Sequence, residues 1–218
     1  MIAGLVPQSS VVCDIGTDHG YVAIYLAKKG TAQKVIAADI KQGPLMQAEK
    51  NVRLFDVENK VETRLSDGFS AIKQDEADTC IIAGMGGETI ASILENEKGC
   101  KYFILQMQTA HRHLRQYLLT HGYVIEEEAI CREGSKMYCA LHAKRGCSSK
   151  FTETELEIGP YLIKNTPPLF YDYVRYRLYE IESILKSIGN TQSGADRKNH
   201  CVFLKSEYEN LLRGENDG

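Results

Sequence analysis

Short apolar runs alternate with amphipathic stretches through the first two thirds of the chain. Residues 11–15 are apolar except for Asp14 and predict a buried strand. Gly16 and Gly20 punctuate the turn after it, and Val22, Ile24 and Leu26 carry a helix over residues 20–29 up to Gly30. Residues 34–39 predict a second strand. Residues 43–55 predict a helix, with Pro44 in its first turn and Leu45, Ala48 and Val52 on one face. Residues 61–65, 79–83 and 102–106 predict three more strands. One helix begins near Glu88 and carries Ile90, Ile93 and Leu94; another covers residues 111–121, with Leu114 and Leu118 on one face and a stop at Gly122. Strands alternating with helices in this way predict a parallel sheet covered by helices.

The rhythm then changes. Residues 123–130 and 136–143 predict two strands joined by a turn over residues 131–135, an antiparallel hairpin that closes the alternation. Residues 145–150 have the composition of a linker, which divides the chain into an α/β domain at 1–147 and a helical domain at 148–218. In the second, Val174, Leu178, Ile181, Leu185 and Ile188 step alternately by 4 and 3, and Cys201, Leu204, Tyr208 and Leu211 step by 3, 4 and 3. Around a polar loop at 189–197, these stripes predict an antiparallel helical hairpin of coiled-coil type. A dinucleotide-binding fold ends in a parallel strand, whereas class I methyltransferase folds end in a β-hairpin. The expected fold class is therefore α/β: a class I methyltransferase Rossmann-like sheet ending in an antiparallel β-hairpin, plus a C-terminal helical hairpin.

Composition narrows this picture. Hydrophobic content of 43% and charged content of 25% over 218 residues are those of a soluble globular protein. No apolar run approaches a membrane span and no secretory signal opens the chain, so a cytoplasmic protein without membrane association is expected. The seven cysteines are odd in number and form no C-x-x-C, which argues against a disulfide framework and a zinc site; they are expected as small buried hydrophobes, and no metal is expected. A net charge of −3 does not advertise nucleic-acid binding, which would need a local basic patch.

The chemistry concentrates at the strand ends. After the first strand the pattern is D-x-G-x-D-x-G, through Asp14, Gly16, Thr17, Asp18 and Gly20. Glycines let a ligand approach the backbone, and the following helix start offers unpaired N–H groups. The two acids would repel a pyrophosphate but suit a ligand with a cationic end, such as S-adenosylmethionine. Asp39, followed by Ile40, ends the second strand where nucleotide folds bind ribose hydroxyls, though an acid there also caps helices. Asp67 in Ser66-Asp67-Gly68 could accept from an adenine amine, or the stretch could be a plain turn. Ala83-Gly84-Met85-Gly86-Gly87 has more glycine than one turn needs and is expected to form a flexible, backbone-lined floor.

D-I-G-T-D-H-G-Y, Asp39 with Gly43-Pro44 after it, S-D-G-F and I-I-A-G-M-G-G-E-T-I together resemble the bacterial tRNA (adenine-22-N1)-methyltransferase family. The resemblance runs on through Leu114-Arg115, Gly134-Ser135-Lys136-Met137-Tyr138 and Ile158-Gly159-Pro160, and so covers nearly the whole chain. It implies S-adenosylmethionine as donor, N1 of an adenine in the tRNA D-arm region as acceptor, and a C-terminal coiled-coil domain. Two departures stand out. The family usually has a helix of about a dozen residues before the first strand, where this chain opens at Met1-Ile2-Ala3-Gly4, and it reads L-Q-P where this chain has Leu105-Gln106-Met107.

On that reading the ring nitrogen attacks directly, with no prior general base. Asp18 is expected to face the exocyclic amine or the methionine amino group, and His19 to shape the pocket. Lys28, Lys29, Arg112, Arg115, Arg132 and Lys136 are candidates for phosphate contact. Arg175 and Arg177, among Tyr171, Tyr173, Tyr176 and Tyr179, are candidates on the helical arm. A monomer or weak dimer is expected. The competing expectations are a methyltransferase for a small-molecule or protein amine, and a non-catalytic nucleotide-binding adaptor.

Overall fold

The structure is a computed structural model that describes residues 1–147, 150–188 and 192–215. Parts of the expected linker and polar loop, and the expected boundary at 147/148, lie outside the described residues. The chain forms two compact units, Met1–Ala129 with Cys139–Lys150, and Ile130–Tyr138 with Phe151–Gly218. The tip of the β-hairpin thus groups with the helices, where the sequence reading placed it in the first domain.

In the first unit, a short helix α1 (Ile2–Leu5) precedes β1 (Ser9–Ile15). Then follow α2 (Tyr21–Lys29), β2 (Ala32–Asp39), α3 (Gln42–Leu54), β3 (Val61–Leu65), β4 (Thr79–Gly86), α4 (Gly87–Leu94), β5 (Tyr102–Thr109), α5 (His111–Thr120), β6 (Tyr123–Glu133) and β7 (Lys136–Arg145). The strand order is β3-β2-β1-β4-β5-β7-β6, with β1 to β5 parallel and β7 antiparallel to β5. Parallel strands covered on both faces are apolar at nearly every position. Accordingly, Val35 to Ala38 on β2, Cys80 to Ile82 on β4 and Phe103 to Leu105 on β5 are all buried. The chain leaves β1 toward β2 on one side, while β4 lies on the other. The strand order therefore reverses between β1 and β4, where open α/β sheets bind ligands beyond the strand C-termini.

Two strands outrun their predicted ends. β4 continues through Gly84-Met85-Gly86 and β5 through Met107-Gln108-Thr109. The pairing passes from Ala83↔Gln106 to Met85↔Met107 to Gly86↔Thr109, with a register shift on either side of Met85. Gly84, at φ 77°, absorbs the first shift in the left-handed region that glycine tolerates best. The expected flexible floor is in fact paired strand.

In the second unit, α6 (Glu153–Ile158) opens with a capping box: the Thr152 hydroxyl accepts from the Glu155 N–H, and the Glu155 carboxylate accepts from the Thr152 N–H. Pro160 starts α7 (Pro160–Asn165) at a position where its missing N–H costs nothing. α8 (Phe170–Ser187) and α9 (Gln192–Arg213) pair side by side. Lys205 reaches Glu182 at 2.7 Å and Arg175 reaches Glu215, which makes the pair antiparallel. The predicted polar loop is shorter than expected, since residues 192–197 are already helical; Ala195, Arg197 and Lys198 are strong helix formers. The buried face of α8 is Phe170, Tyr173, Val174, Arg177 and Ile181, broader than a two-helix seam, while Leu178 and Leu185 are only half-buried. The coiled-coil expectation thus gives way to a small helical unit that also packs α6 on α9.

Candidate active site

At the C-terminal ends of β1 to β4 a cleft of about 540 Å³ opens. Ile15 and Gly16 after β1, Ile40 after β2, and Ser66, Asp67 and Gly68 after β3 form one wall; Met85 on β4 and Glu88, Thr89, Ser92 and Ile93 on α4 form the other. Six of the residues expected at a cofactor site therefore line one space: Gly16, Ile40, Ser66, Asp67, Gly68 and Met85. At Gly16, φ is +75°, a left-handed conformation that favours glycine, and a Cβ there would press on the Met85 methyl at 2.3 Å, which would have to swing aside. At Gly68 the backbone is again left-handed, and Ile93 lies against it.

The other expected cofactor residues stand behind this lining and shape it. The Asp39 carboxylate is buried and accepts from two backbone N–H groups, Asp18 at 3.2 Å and Lys41 at 2.9 Å. It thereby pins the Gly16–Gly20 turn to the end of β2. Asn51, on α3, holds the same turn by donating to the His19 carbonyl at 2.8 Å. Thr17 donates its hydroxyl to Asp14 at 2.7 Å, with both residues buried. Burial pushes the Asp14 carboxyl up to about 6; the Thr17 hydrogen bond pulls it down and the Asp39 charge pushes it up. Gly20, left-handed at φ 74°, precedes α2 and packs on Ala48. Ser66 accepts from the Ala71 N–H at 3.0 Å and donates to the Gly68 carbonyl at 2.8 Å, fixing the turn after β3.

The acids divided by role in the sequence are also divided by burial. Asp14 and Asp39 are buried, whereas the Asp18 side chain is 64% exposed, in a left-handed residue at φ 52°. His19 lies beside it, with Nε2 3.3 Å from the Asp18 carboxylate and its ring 5.7 Å from that of Tyr21. Asp18 and His19 are thus the exposed pair of the turn, and Asp14 and Asp39 its buried supports.

Gln106 is a functional candidate that sequence reasoning met only as part of a departure from the family pattern. Its carboxamide accepts from the Gly84 N–H at 2.8 Å and donates to the Met107 carbonyl at 2.8 Å. Buried beneath the bulge, it fixes the strand segment that presents Met85 to the cleft. Gly87 has a packing reason of its own: a Cβ there would meet the Ala110 carbonyl oxygen at 2.3 Å, so α4 can start against the end of β5 only with glycine. Ala83, Gly84, Gly86 and Gly87 therefore build the frame, and Met85 alone of the five lines the cleft. Glu88, Thr89, Ser92 and Ile93 escaped the sequence reading because a helix face along a cleft carries the same periodicity as one along solvent.

The cationic candidates separate sharply. Lys28 and Lys29 end α2 on the surface, over the Phe55 and Tyr25 rings at 4.7 Å and 5.9 Å. Arg112 on α5 and Lys136 on β7 are exposed. Arg132 is half-exposed and meets Asp172 at 2.7 Å; Arg175 meets the same Asp172 at 3.2 Å. Two expectations fail. Arg115 is fully buried, with Nε 2.8 Å from Glu128, and Arg177 is buried against Glu157 at 3.1 Å. Neither can reach a phosphate: each neutralises a carboxylate that would otherwise be stranded in the interior. Tyr173 is buried too, while Tyr179 is exposed and Tyr171 and Tyr176 are half-buried.

Comparison with known proteins bears on this site. The family model described as tRNA (adenine(22)-N(1))-methyltransferase matches residues 12–207. The chain is 31% identical over 219 residues to the tRNA (adenine(22)-N(1))-methyltransferase of Bacillus subtilis (strain 168), covering 96% of this chain and 92% of that one. A Streptococcus pneumoniae protein solved in complex with S-adenosyl-L-methionine is similar with a TM-score of 0.85 at 29% identity, covering 97% of this chain and 96% of that chain. M. capricolum TrmK, solved with S-adenosyl-homocysteine, is similar with a TM-score of 0.82 at 29% identity and the same coverage. With the sheet order, the closing hairpin and the cleft at the β1–β4 reversal already in place, these matches make the chain a member of the tRNA (adenine(22)-N(1))-methyltransferase family.

Proposed function

We propose that this chain transfers a methyl group from S-adenosylmethionine to N1 of adenine 22 in tRNA, using the cleft at the β1–β4 reversal. The observation that carries the site is the cradle itself. Gly16, Ile40, Ser66, Asp67, Gly68 and Met85 line one cleft beyond the strand ends, and a doubly anchored Asp39 sits beside the same turn. A nucleoside fits this donor and acceptor set. We assign Asp39, behind the lining at the end of β2, to the ribose hydroxyls, Asp67 and Gly68 to the adenine edge, and Ile40 and Ile93 to its faces. The acids of the Gly16–Gly20 turn suit a cationic tail.

When bound, S-adenosylmethionine supplies an electrophilic methyl on a sulfonium. The chain's own contribution is alignment and electrostatics. The adenine N1 lone pair needs no deprotonation, so no residue need act as base before attack. The ring leaves with a positive charge, and Asp18, exposed at the turn, is the carboxylate placed to offset it as it develops. His19 positions Asp18 through their 3.3 Å contact. The target base must leave its stack to reach the cleft. Lys28, Lys29, Arg112, Arg132, Lys136 and Arg175 remain the candidates for backbone phosphates, with Arg115 and Arg177 withdrawn.

The test is methyl transfer from labelled donor to two transcripts of one tRNA, carrying adenine or guanine at position 22. Label on the adenine transcript alone is expected. Equal label on both would remove the assigned position, and no label on either, with donor binding intact, would remove tRNA as substrate.

A further inference from the structure

The helical unit holds a group of side chains for which methyl transfer has no use. Glu153 and Glu157 lie one turn apart on α6, so their carboxylates share a face. His200, from α9, meets both: its Nε2 is 3.9 Å from Glu153 Oε1 and 3.9 Å from Glu157 Oε1. Those separations are too long for hydrogen bonds. One ligand atom from each residue lies within 4.8 Å of the other two.

We propose that Glu153, Glu157 and His200 form a binding site for a divalent transition-metal ion of zinc type, joining α6 to α9. The spacing suits this reading. With the third separation at most 4.8 Å, the point in their plane equidistant from the three atoms lies no more than about 2.5 Å from each, near the ~2.0–2.2 Å at which zinc holds imidazole nitrogen and carboxylate oxygen. Small rotamer shifts close that gap. One nitrogen and two oxygen ligands select a borderline ion over calcium or magnesium, which prefer oxygen alone. Three protein ligands leave a fourth position for water.

The surroundings support the ligands as a metal site's outer shell does. Glu157 accepts from Arg177 through Oε2 at 3.1 Å, which fixes the carboxylate, and its Oε1 faces His200. Thr154, on the same helix, donates to Glu207 of α9 at 2.8 Å, so the two helices are already held in register beside the site. Arg177 is shared between Glu157 and Glu180, so one cation is divided between two carboxylates beside the site. The expectation of no metal rested on cysteine spacing; these three ligands meet only through the fold.

The test uses the full chain, stripped with EDTA and titrated with Zn²⁺, with Co²⁺ as a spectroscopic probe. One Zn²⁺ is expected to bind with a Kd below roughly 10 μM and to raise Tm by about 4 °C or more at saturation. Co²⁺ is expected to give ligand-field bands without a thiolate charge-transfer band. His200→Arg places a cation between the two carboxylates while removing the ligand. It should retain the EDTA-state Tm and weaken Zn²⁺ binding at least tenfold. Glu153→Gln should weaken it similarly and carries the test if His200→Arg fails to fold. Zn²⁺ binding unchanged in these variants, a thiolate band with Co²⁺, or no wild-type binding below about 100 μM would each overturn the proposal.

Discussion

Buried polar side chains serve different partners in the two units. In the α/β unit they serve the backbone. Asp39 accepts from the N–H groups of Asp18 and Lys41, Ser66 from that of Ala71, Gln106 from that of Gly84, and Asn51 donates to the His19 carbonyl. In the helical unit they serve one another. Arg177 meets Glu157, and Thr154 meets Glu207. The reason lies in the elements. Helix interiors satisfy their own N–H and C=O groups, so side chains are left to link one helix to another. Parallel strands end in turns whose backbone groups have no ladder partner, and polar side chains supply it. A cleft built from such turns has its shape fixed by acids and amides. Exceptions in the α/β unit are the buried side-chain pairs Thr17 with Asp14, Ser9 with Thr79, and Arg115 with Glu128, the last fully buried between α5 and β6.

Breaking one partnership of each kind sharpens the contrast. The largest effect is expected for Arg177→Ala, which leaves Glu157 without its buried partner. Stability should fall by about 3–5 kcal/mol, read from urea unfolding, with donor affinity in the surviving folded protein unchanged. A loss of donor affinity would show that the helical unit's side chains also serve the cleft.

Asp14 comes next, through pH. Its folded carboxyl is raised to about 6 from an ordinary value near 4, so the folded state holds a proton that the unfolded state has released. Stability should therefore fall as pH rises from about 4 to about 6, by on the order of 3 kcal/mol, and level off above. In Asp14→Asn this group's decline should vanish; urea midpoints across pH 4–7 decide it, and an unaltered slope would place the titration elsewhere.

Asp39→Ala removes two backbone acceptor contacts and the proposed ribose contact. Calorimetry should show donor affinity reduced about 10- to 100-fold. If affinity held while stability dropped, Asp39 would serve the turn alone. The smallest effect is expected for Gln106→Ala, which strands the Gly84 N–H. A loss of about 1 kcal/mol or slightly more in transition-state stabilisation should appear as a kcat roughly tenfold lower, with donor Kd little changed. Equal changes in kcat and donor Kd would show that the bulge binds the donor rather than presenting the base.

The chain's own residues determined the alternation of strands and helices from β1 to β7, the closing hairpin and the address of the cleft, while the short helices α1, α6 and α7 are too brief to carry a periodic signal. Strand and helix periodicities are local, and D-x-G-x-D-x-G, Asp39 and Ser66-Asp67-Gly68 each end a strand whose neighbours follow from the alternation. Family resemblance, carried by the same motifs, supplied the reaction. What folding alone decided is which charges are available. Arg115 and Arg177 have the same composition signature as surface cations. Only their partners, 13 and 20 residues away, take them out of solvent. The bulge at Gly84 depends on the register of β4 against β5, a pairing that local sequence does not specify. Glu153, Glu157 and His200 come together because α9 returns antiparallel along α8 and packs on α6. Each of these is a contact between segments distant in sequence, where periodicity is silent and burial decides the role.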